Sequence, residues 1–224
     1  MFEGFTNSTY EFFMALSFNN NTDFFHANHD WYLKALRLPF KELHEELSGA
    51  IELFDPLIDR KFSRVISHIN RDLRGRPNIT PYKEDMWLSY RRNSSIAVPE
   101  VFVDISAKGV LYGMGIGNWS GNIKGIAAAL RHIIAEAPDE FRELIKPLQT
   151  QYTQEVYAYK RLKLPDDIPD DLTPYCMLRG GMSFLRNVDP DTAASHELVN
   201  EIVRALDDFK PLYDFLSTLD PIDE

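Results

Sequence analysis

The chain has 224 residues, of which 44% are hydrophobic and 26% charged, a composition typical of a soluble globular domain rather than of a disordered, collagen-like or membrane-spanning chain. Its length predicts one domain over residues 1–224 and excludes an array of many domains. The net charge of −10 argues against a surface built for general binding to nucleic acid or to anionic lipid.

The first sixty residues predict three helices with aromatic residues on their apolar faces. Ser8 and Glu11 have the spacing of a capping box ahead of the first helix, and Thr22 or Asp23 can cap the second. Pro39 fits the first turn of the third helix. The apolar residues of that helix recur at every third or fourth position and form one face: Phe40, Leu43, Leu47, Ile51 and Phe54.

Residues 62–117 predict an antiparallel sheet, because β-branched and aromatic residues alternate there with polar ones. The clearest hairpin pairs Val101–Ile105 with Val110–Tyr112 around a turn at Lys108 and Gly109. We expect later strands to be added to this sheet.

Three glycines follow the hairpin, at Gly113, Gly115 and Gly117. They lack the strand, turn and helix spacing of a dinucleotide-binding loop and the acidic residue about 20 positions further on, so the sequence implies neither NAD nor a flavin. We expect instead that the missing side chains let another element approach a twisted strand. Trp119, beside these glycines, either lines a pocket or fills the core, and the core is the favoured interpretation.

Helices are predicted again after the sheet. The apolar positions between Ile123 and Ile134 form one face, and Pro138 begins another helix with acidic residues suited to its first turn. A last helical stretch, about residues 190–216, is interrupted at Pro211. Helices at both ends with clustered strands between them predict an α+β domain, an antiparallel sheet flanked by N-terminal and C-terminal helices.

Charge is distributed unevenly along the chain. Residues 60–92 hold nine Lys or Arg and three Asp or Glu, whereas residues 164–224 hold four and fourteen. We call residues 60–92 the basic segment. It is the place where an otherwise acidic chain is most suited to a negatively charged ligand.

Within the basic segment, Arg71 and Arg74 lie close together before a loop that contains glycine and proline, and Tyr82 and Lys83 return the chain just after it. Guanidinium groups that converge near a loop favour bidentate capture of a carboxylate or phosphate. We therefore expect binding, with or without turnover, of a small anionic ligand by Arg71, Arg74 and Lys83. Tyr82 is the expected hydroxyl donor and Asp72 the carboxylate that orients an arginine.

Three other interpretations stay open for these residues. Arg71, Asp72 and Arg74 can form an internal ion-pair network that holds the loop. The basic segment can contact nucleic acid, although the acidic remainder of the chain argues against it. The chain can also be an interaction module without a ligand, whose acidic C-terminal region meets a partner. The substrate, the reaction, any catalytic residues and the oligomeric state are not indicated by the sequence.

The same segment resembles the signature of a bacterial and fungal family known as domain of unknown function 2461, Arg-x-x-Arg-Asp-x-Arg-Phe-x-x-x-(Asp/Asn)-Lys-x-x-Tyr. Arg71, Asp72, Arg74 and Tyr82 fit this pattern, and Pro81 precedes the tyrosine as usual in the family. The resemblance extends along nearly the whole chain, and it implies no reaction, because none is assigned to the family.

The segment also departs from the family pattern. His68 stands where the first arginine is expected, Gly75 replaces the phenylalanine and Ile79 replaces the lysine. Asn78 takes the Asp/Asn place only if the segment is one residue shorter than the pattern. Two cations of the pattern are therefore absent from this chain.

Metal binding and export lack support in the sequence. His26 and His29 are three residues apart but have no third ligand nearby, and the single cysteine, Cys176, cannot form an intrachain disulfide. The N-terminus lacks the charged and apolar regions of a signal peptide, and no apolar run nears the about 18 residues of a membrane span. We expect a cytoplasmic protein with no metal, no cofactor and no membrane association.

Overall fold

The computed structural model describes residues 1–75, 79–164 and 168–222. By its internal contacts the chain divides into two units. Unit 1 comprises Met1–Tyr90, Phe102–Tyr112 and Asn187–Val203, and unit 2 comprises Arg91–Val101, Gly113–Arg186 and Arg204–Glu224. None of the helices in the described ranges combines the length and apolarity needed to cross a membrane.

Unit 1 begins with four helices, one more than the sequence predicts. They are α1 (Asn7–Phe18), α2 (Thr22–Ala27), α3 (His29–Tyr32) and, after a π-helical segment at Leu33–Arg37, α4 (Leu38–Phe54). The apolar face predicted for α4 is confirmed, because all five of its residues are buried and Pro39 lies in the first turn. Burial of this face on one side of a 3.6-residue repeat explains why the segment is helical.

The predicted helix caps are wrong. Thr6 precedes α1 without a side-chain cap, and the hydroxyl of Ser8 instead accepts a hydrogen bond from Nε1 of Trp31 at 2.7 Å. Asn21, rather than Thr22 or Asp23, caps α2 by accepting from the Phe24 amide at 2.9 Å. In the first case a long-range contact uses the hydroxyl that a local cap would need.

The start of the sheet is also predicted wrongly. Residues Phe62–Val65 form a short helix, α5, and the residues between it and the first strand make isolated bridges, Ile66 to Leu88 and Asn70 to Tyr82. The apolar residues here are spaced by three, one and three positions, which matches a helical turn rather than strict alternation. The sheet therefore begins at Asp85 and not at residue 62.

In the part of the chain that the structure describes, five strands form one antiparallel sheet in the order β1-β2-β3-β5-β4, which confirms the α+β prediction and the addition of later strands. The strands are β1 (Asp85–Arg91), β2 (Glu100–Ser106), β3 (Gly109–Gly117), β4 (Thr153–Ala158) and β5 (Leu178–Asn187). The predicted hairpin corresponds to β2 and β3. In β1 every second residue is fully buried, and the residues between them are half-exposed on the other face.

The remaining helices follow the strands or lie between them. They are α6 (Lys124–Glu136), α7 (Pro138–Gln151), α8 (Thr173–Cys176), α9 (Pro190–Ala193) and α10 (Glu197–Ser217). The predicted break at Pro211 is wrong, because α10 runs through it. Leu212 and Tyr213, directly after the proline, are fully buried, and this burial offsets the backbone hydrogen bond that proline cannot make.

The glycines of β3 serve the close approach that the sequence predicts. A Cβ atom added at Gly115 would lie 2.7 Å from the carbonyl oxygen of Met182 on β5, closer than real side chains come. The expectation for Trp119 is wrong, because its side chain is 43% exposed rather than in the core.

Candidate functional site

The base of the loop between residues 70 and 82 is closed by backbone hydrogen bonds. The amide of Arg71 donates to the carbonyl of Pro81, and the amide of Lys83 donates to the carbonyl of Ile69, each at 2.8 Å. These two bonds flank the bridge between Asn70 and Tyr82. Arg71 and Lys83 are therefore fixed on the two sides of one loop base.

Tyr82 anchors this base to the N-terminal helices. The side-chain amide of Asn20 accepts from the Tyr82 amide and donates to the Tyr82 carbonyl, both at 3.0 Å. The Tyr82 ring stacks on Phe25 with centroids 4.2 Å apart and planes 18° apart. Burial raises the pKa of the Tyr82 hydroxyl. The tyrosine thus holds the loop in place through packing.

Four of the five predicted residues line one cavity of about 380 Å³, which we call the Arg71 cavity: Arg71, Asp72, Arg74 and Lys83, with Ile79 as an apolar member. Tyr82 is absent from this lining. The structure therefore brings the three predicted cations and the predicted carboxylate together, and gives the tyrosine a supporting position instead. Asn78, which the family pattern concerns, lies outside the described residues.

Arg74 and Asp72 form a bidentate ion pair at the edge of the Arg71 cavity. Nε of Arg74 lies 2.9 Å from one carboxylate oxygen of Asp72, and Nη2 lies 2.7 Å from the other. Both side chains are largely exposed, at 91% and 62%. Because solvent screens such a pair, it orients Arg74 but contributes little to stability. Arg71 makes a different contact, a 3.0 Å hydrogen bond from Nη1 to the hydroxyl of Thr80.

Lys83 interacts with an aromatic ring, a carboxylate and another cation. Its ammonium group is 4.2 Å from the centroid of the Trp87 ring, which it can face through a cation–π contact. Partial burial lowers the pKa of Lys83, the nearby charge of Arg71 lowers it further, and the carboxylate of Asp85 opposes both. A cation held close to a like charge gains most when an anion binds between them.

Asp104 is a further candidate residue, which the sequence patterns did not identify. It lies on β2, half-buried, and burial followed by repulsion from Asp85 raises its pKa to about 7. Within the described ranges it has neither a hydrogen-bond donor nor a cation as a partner. The available signal was a charged residue between Val103 and Ile105, within the apolar run of residues 101–105. A carboxyl group with a strongly raised pKa marks a candidate functional position.

The other residues considered from the sequence are His26, His29 and Cys176. His26 and His29 fall in two different helices, α2 and α3. In the part of the chain that the structure describes, no three His, Cys, Asp or Glu side chains are grouped as a metal site requires. Cys176 is buried, and burial raises its pKa to about 11, so its thiol is protonated and unreactive near neutrality.

Comparison with known proteins identifies a family for this chain. A family model described as a conserved hypothetical protein (DUF2461) matches residues 8–215. No curated protein and no solved structure matches the chain. The matched region contains the N-terminal helices, all five strands and every residue of the Arg71 cavity. The chain therefore belongs to the DUF2461 family.

Proposed function

We propose that this protein binds a small anionic ligand in the Arg71 cavity. The observation that carries the proposal is the convergence of Arg71 and Lys83, from two sides of a closed loop base, on one cavity that Arg74 also lines. Side chains that extend from a closed base are better oriented than side chains on an unsupported loop. Such orientation lowers the entropy lost when a ligand binds.

The three cations are suited to different parts of this task. Arg71 offers a planar guanidinium that matches the geometry of a carboxylate or phosphate, and Lys83 adds a compact positive charge. Arg74 is already engaged by Asp72, so it contributes through its charge and through its orientation at the cavity edge. The ligand class that fits is a carboxylate or phosphate small enough for about 380 Å³.

The proposal differs in its energetics from an internal ion-pair network. In the network, removal of Arg71 takes away a stabilising partner. In a binding site, Arg71 and Lys83 repel each other until an anion arrives. Burial is the main cause of the lowered pKa of Lys83, and the charge of Arg71 adds to it. Removal of Arg71 then leaves the ligand-free protein no less stable, but it abolishes the stabilisation that the ligand gives.

The proposal is tested by thermal unfolding in phosphate, sulfate and citrate, with wild type, Arg71→Met and Lys83→Met. We expect these anions to stabilise wild type by an amount that grows with concentration, about 2.7 kcal/mol at one hundred times Kd, and not to stabilise the two variants. Arg64→Met is the matched control, because Arg64 is an arginine of the basic segment that pairs with Asp59 and lies outside the cavity lining.

Two results would count against the site. If no anion stabilises wild type and Arg71→Met is less stable than wild type, the ion-pair network is the correct interpretation. If Arg64→Met loses the anion effect as fully as Arg71→Met does, the effect comes from the overall charge of the basic segment and not from the cavity.

A further inference from the structure

Unit 2 contains two cavities that share Arg179. The first, which we call the Trp119 cavity, has about 510 Å³ and is lined by Trp119, Tyr157 and Arg179 among others. The second, the Lys124 cavity, has about 450 Å³ and is lined by Lys124, Tyr159, Arg179 and apolar side chains. Each volume lies within the range typical of small-molecule sites.

The Trp119 cavity presents an aromatic surface that is supported from behind. Trp119 and Tyr157 are 43% and 52% exposed, with ring centroids 6.2 Å apart and planes at 78°. The indole packs against two glycines: a Cβ atom would lie 2.4 Å from its Cζ3 at Gly117 and 2.5 Å from its Cη2 at Gly181. One side of the ring is therefore fixed by backbone while the side chain keeps a large exposed area.

The backbone around Trp119 is also fixed. The Ser120 hydroxyl donates to the carbonyl of Gly117 at 3.0 Å, and Nη1 of Arg91 donates to the carbonyl of Trp119 at 3.3 Å. The Tyr157 hydroxyl donates to Glu155 at 2.8 Å, which restrains the second ring. An exposed tryptophan held in this way loses little freedom when a planar group stacks on it.

Two cations of the Lys124 cavity have no acidic partner among the residues that the structure describes. Within the described ranges, neither Lys124 nor Arg179 pairs with a carboxylate, and the Arg179 guanidinium lies 5.8 Å from the centroid of the Tyr159 ring. Arg131 is engaged differently, because its Nε donates to the carbonyl of Cys176 at 2.8 Å. Lys124 and Arg179 are thus available to an anion, and Arg179 borders the aromatic surface as well.

We infer that these two cavities bind a small molecule in which a planar aromatic ring carries an anionic group, the chemistry of a nucleoside monophosphate. The ring stacks on Trp119, and the phosphate lies between Arg179 and Lys124. The site is independent of the Arg71 cavity, with which it shares no residue. Stacking on aromatic side chains and bidentate capture by arginine are the two interactions that recognise such a ligand.

A mononucleotide fits better than a nucleic-acid strand. A strand brings a phosphate with every base, whereas residues 164–224, which include Arg179, carry fourteen acidic and four basic residues. Repulsion by the net negative charge of this segment increases with each added phosphate. A single phosphate needs only the two cations that the cavity offers.

The inference is tested by calorimetric titration of the full chain with AMP, adenosine and inorganic phosphate, followed by tryptophan fluorescence. We expect AMP to bind at least about ten-fold more tightly than adenosine or phosphate, because only AMP makes both contacts, and we expect it to quench fluorescence. Arg179→Met should remove the preference for AMP over adenosine. Trp119→Ala should weaken AMP binding about five- to 150-fold, the range expected for one base stack.

Arg186→Met is the matched control. Arg186 lies on β5, as Arg179 does, and its guanidinium is 4.8 Å from the centroid of the Tyr152 ring. It lines neither cavity. It should bind AMP as wild type does. Because Arg179 is exposed, its variant keeps the test decisive even if Trp119→Ala does not fold.

Several outcomes would overturn the inference. Failure of millimolar AMP to bind, AMP binding no tighter than adenosine, or unchanged binding by Arg179→Met would each do so. Tighter binding of an oligonucleotide such as ten deoxyadenylates than of AMP would indicate a single-strand site instead. Loss of AMP binding in Arg71→Met would place the nucleotide in the Arg71 cavity and leave the proposed anion site standing.

Discussion

Replacing Asp104 with asparagine should stabilise the protein at pH 8 and change its stability little near pH 4. The carboxyl group of Asp104 is half-buried on β2, its pKa is raised to about 7 by burial and by Asp85, and no described side chain donates a hydrogen bond to it. Asparagine keeps the shape of the side chain and removes the charge that burial disfavours.

The magnitude follows from the difference between the folded and unfolded pKa of Asp104. Between the ordinary value of 3.8 and the folded value of about 7, the folded state holds a proton that the unfolded state has lost. The free energy of unfolding therefore falls as the pH rises through this window. A difference of about 3 in pKa corresponds to at most about 4 kcal/mol, reached above pH 7. Asp104→Asn should recover much of this loss in the free energy of unfolding.

The assay is urea unfolding of wild type, Asp104→Asn and the control Asp207→Asn from pH 4 to pH 8. Asp207 is exposed on α10, so its variant should follow the wild-type profile. Asp85→Asn should lower the pKa of Asp104 and flatten the profile in part. A lower stability of Asp104→Asn than of wild type at pH 8 would refute the reasoning, since it would mean that the carboxylate is favourably bound in the folded state.

Three further predictions concern packing and charge. Phe25→Ala removes the ring that stacks on Tyr82, and we expect a loss of about 3–5 kcal/mol by urea unfolding together with weaker anion stabilisation; Phe25→Leu should lose less. Gly115→Ala should destabilise the protein by about 1–3 kcal/mol, because its Cβ meets the Met182 carbonyl. Gly49→Ala, in open space on α4, should stabilise the protein by about 0.5–1 kcal/mol. Equal effects of the two changes would contradict this prediction. Duplex DNA should bind weakly and dissociate as the salt concentration rises to about 150 mM. Nanomolar binding of DNA at about 150 mM salt, if charge reversal in the basic segment abolishes it, would favour the nucleic-acid interpretation.

The fold was predicted from sequence wherever one periodicity ran for several turns or strand residues. The face of α4 and the hairpin of β2 and β3 are such cases. Prediction failed at Phe62–Val65, where a short apolar run has the spacing of a helical turn rather than of a strand, and at Pro211, where burial of the next residues outweighs a local rule. Short signals of this kind are decided by tertiary packing, which the sequence does not display.

The candidate site was predicted in part. The basic loop identified Arg71, Asp72, Arg74 and Lys83, because charge and loop residues are local features of the sequence. The packing of Tyr82 on Phe25 depends on residues 57 positions apart, and no local pattern indicates it. The same holds for Asp104, whose pKa depends on a neighbouring strand, and for Trp119, whose exposure depends on Gly181.

The most direct measurement of the central claim is a crystal structure of the protein soaked in sulfate or phosphate. We predict an ordered anion in the Arg71 cavity that contacts the Arg71 guanidinium and the Lys83 ammonium group, and no ordered anion there in crystals of Arg71→Met. A cavity that contains only water at high anion concentration, with Arg71 bound to a carboxylate of its own chain, would contradict the account.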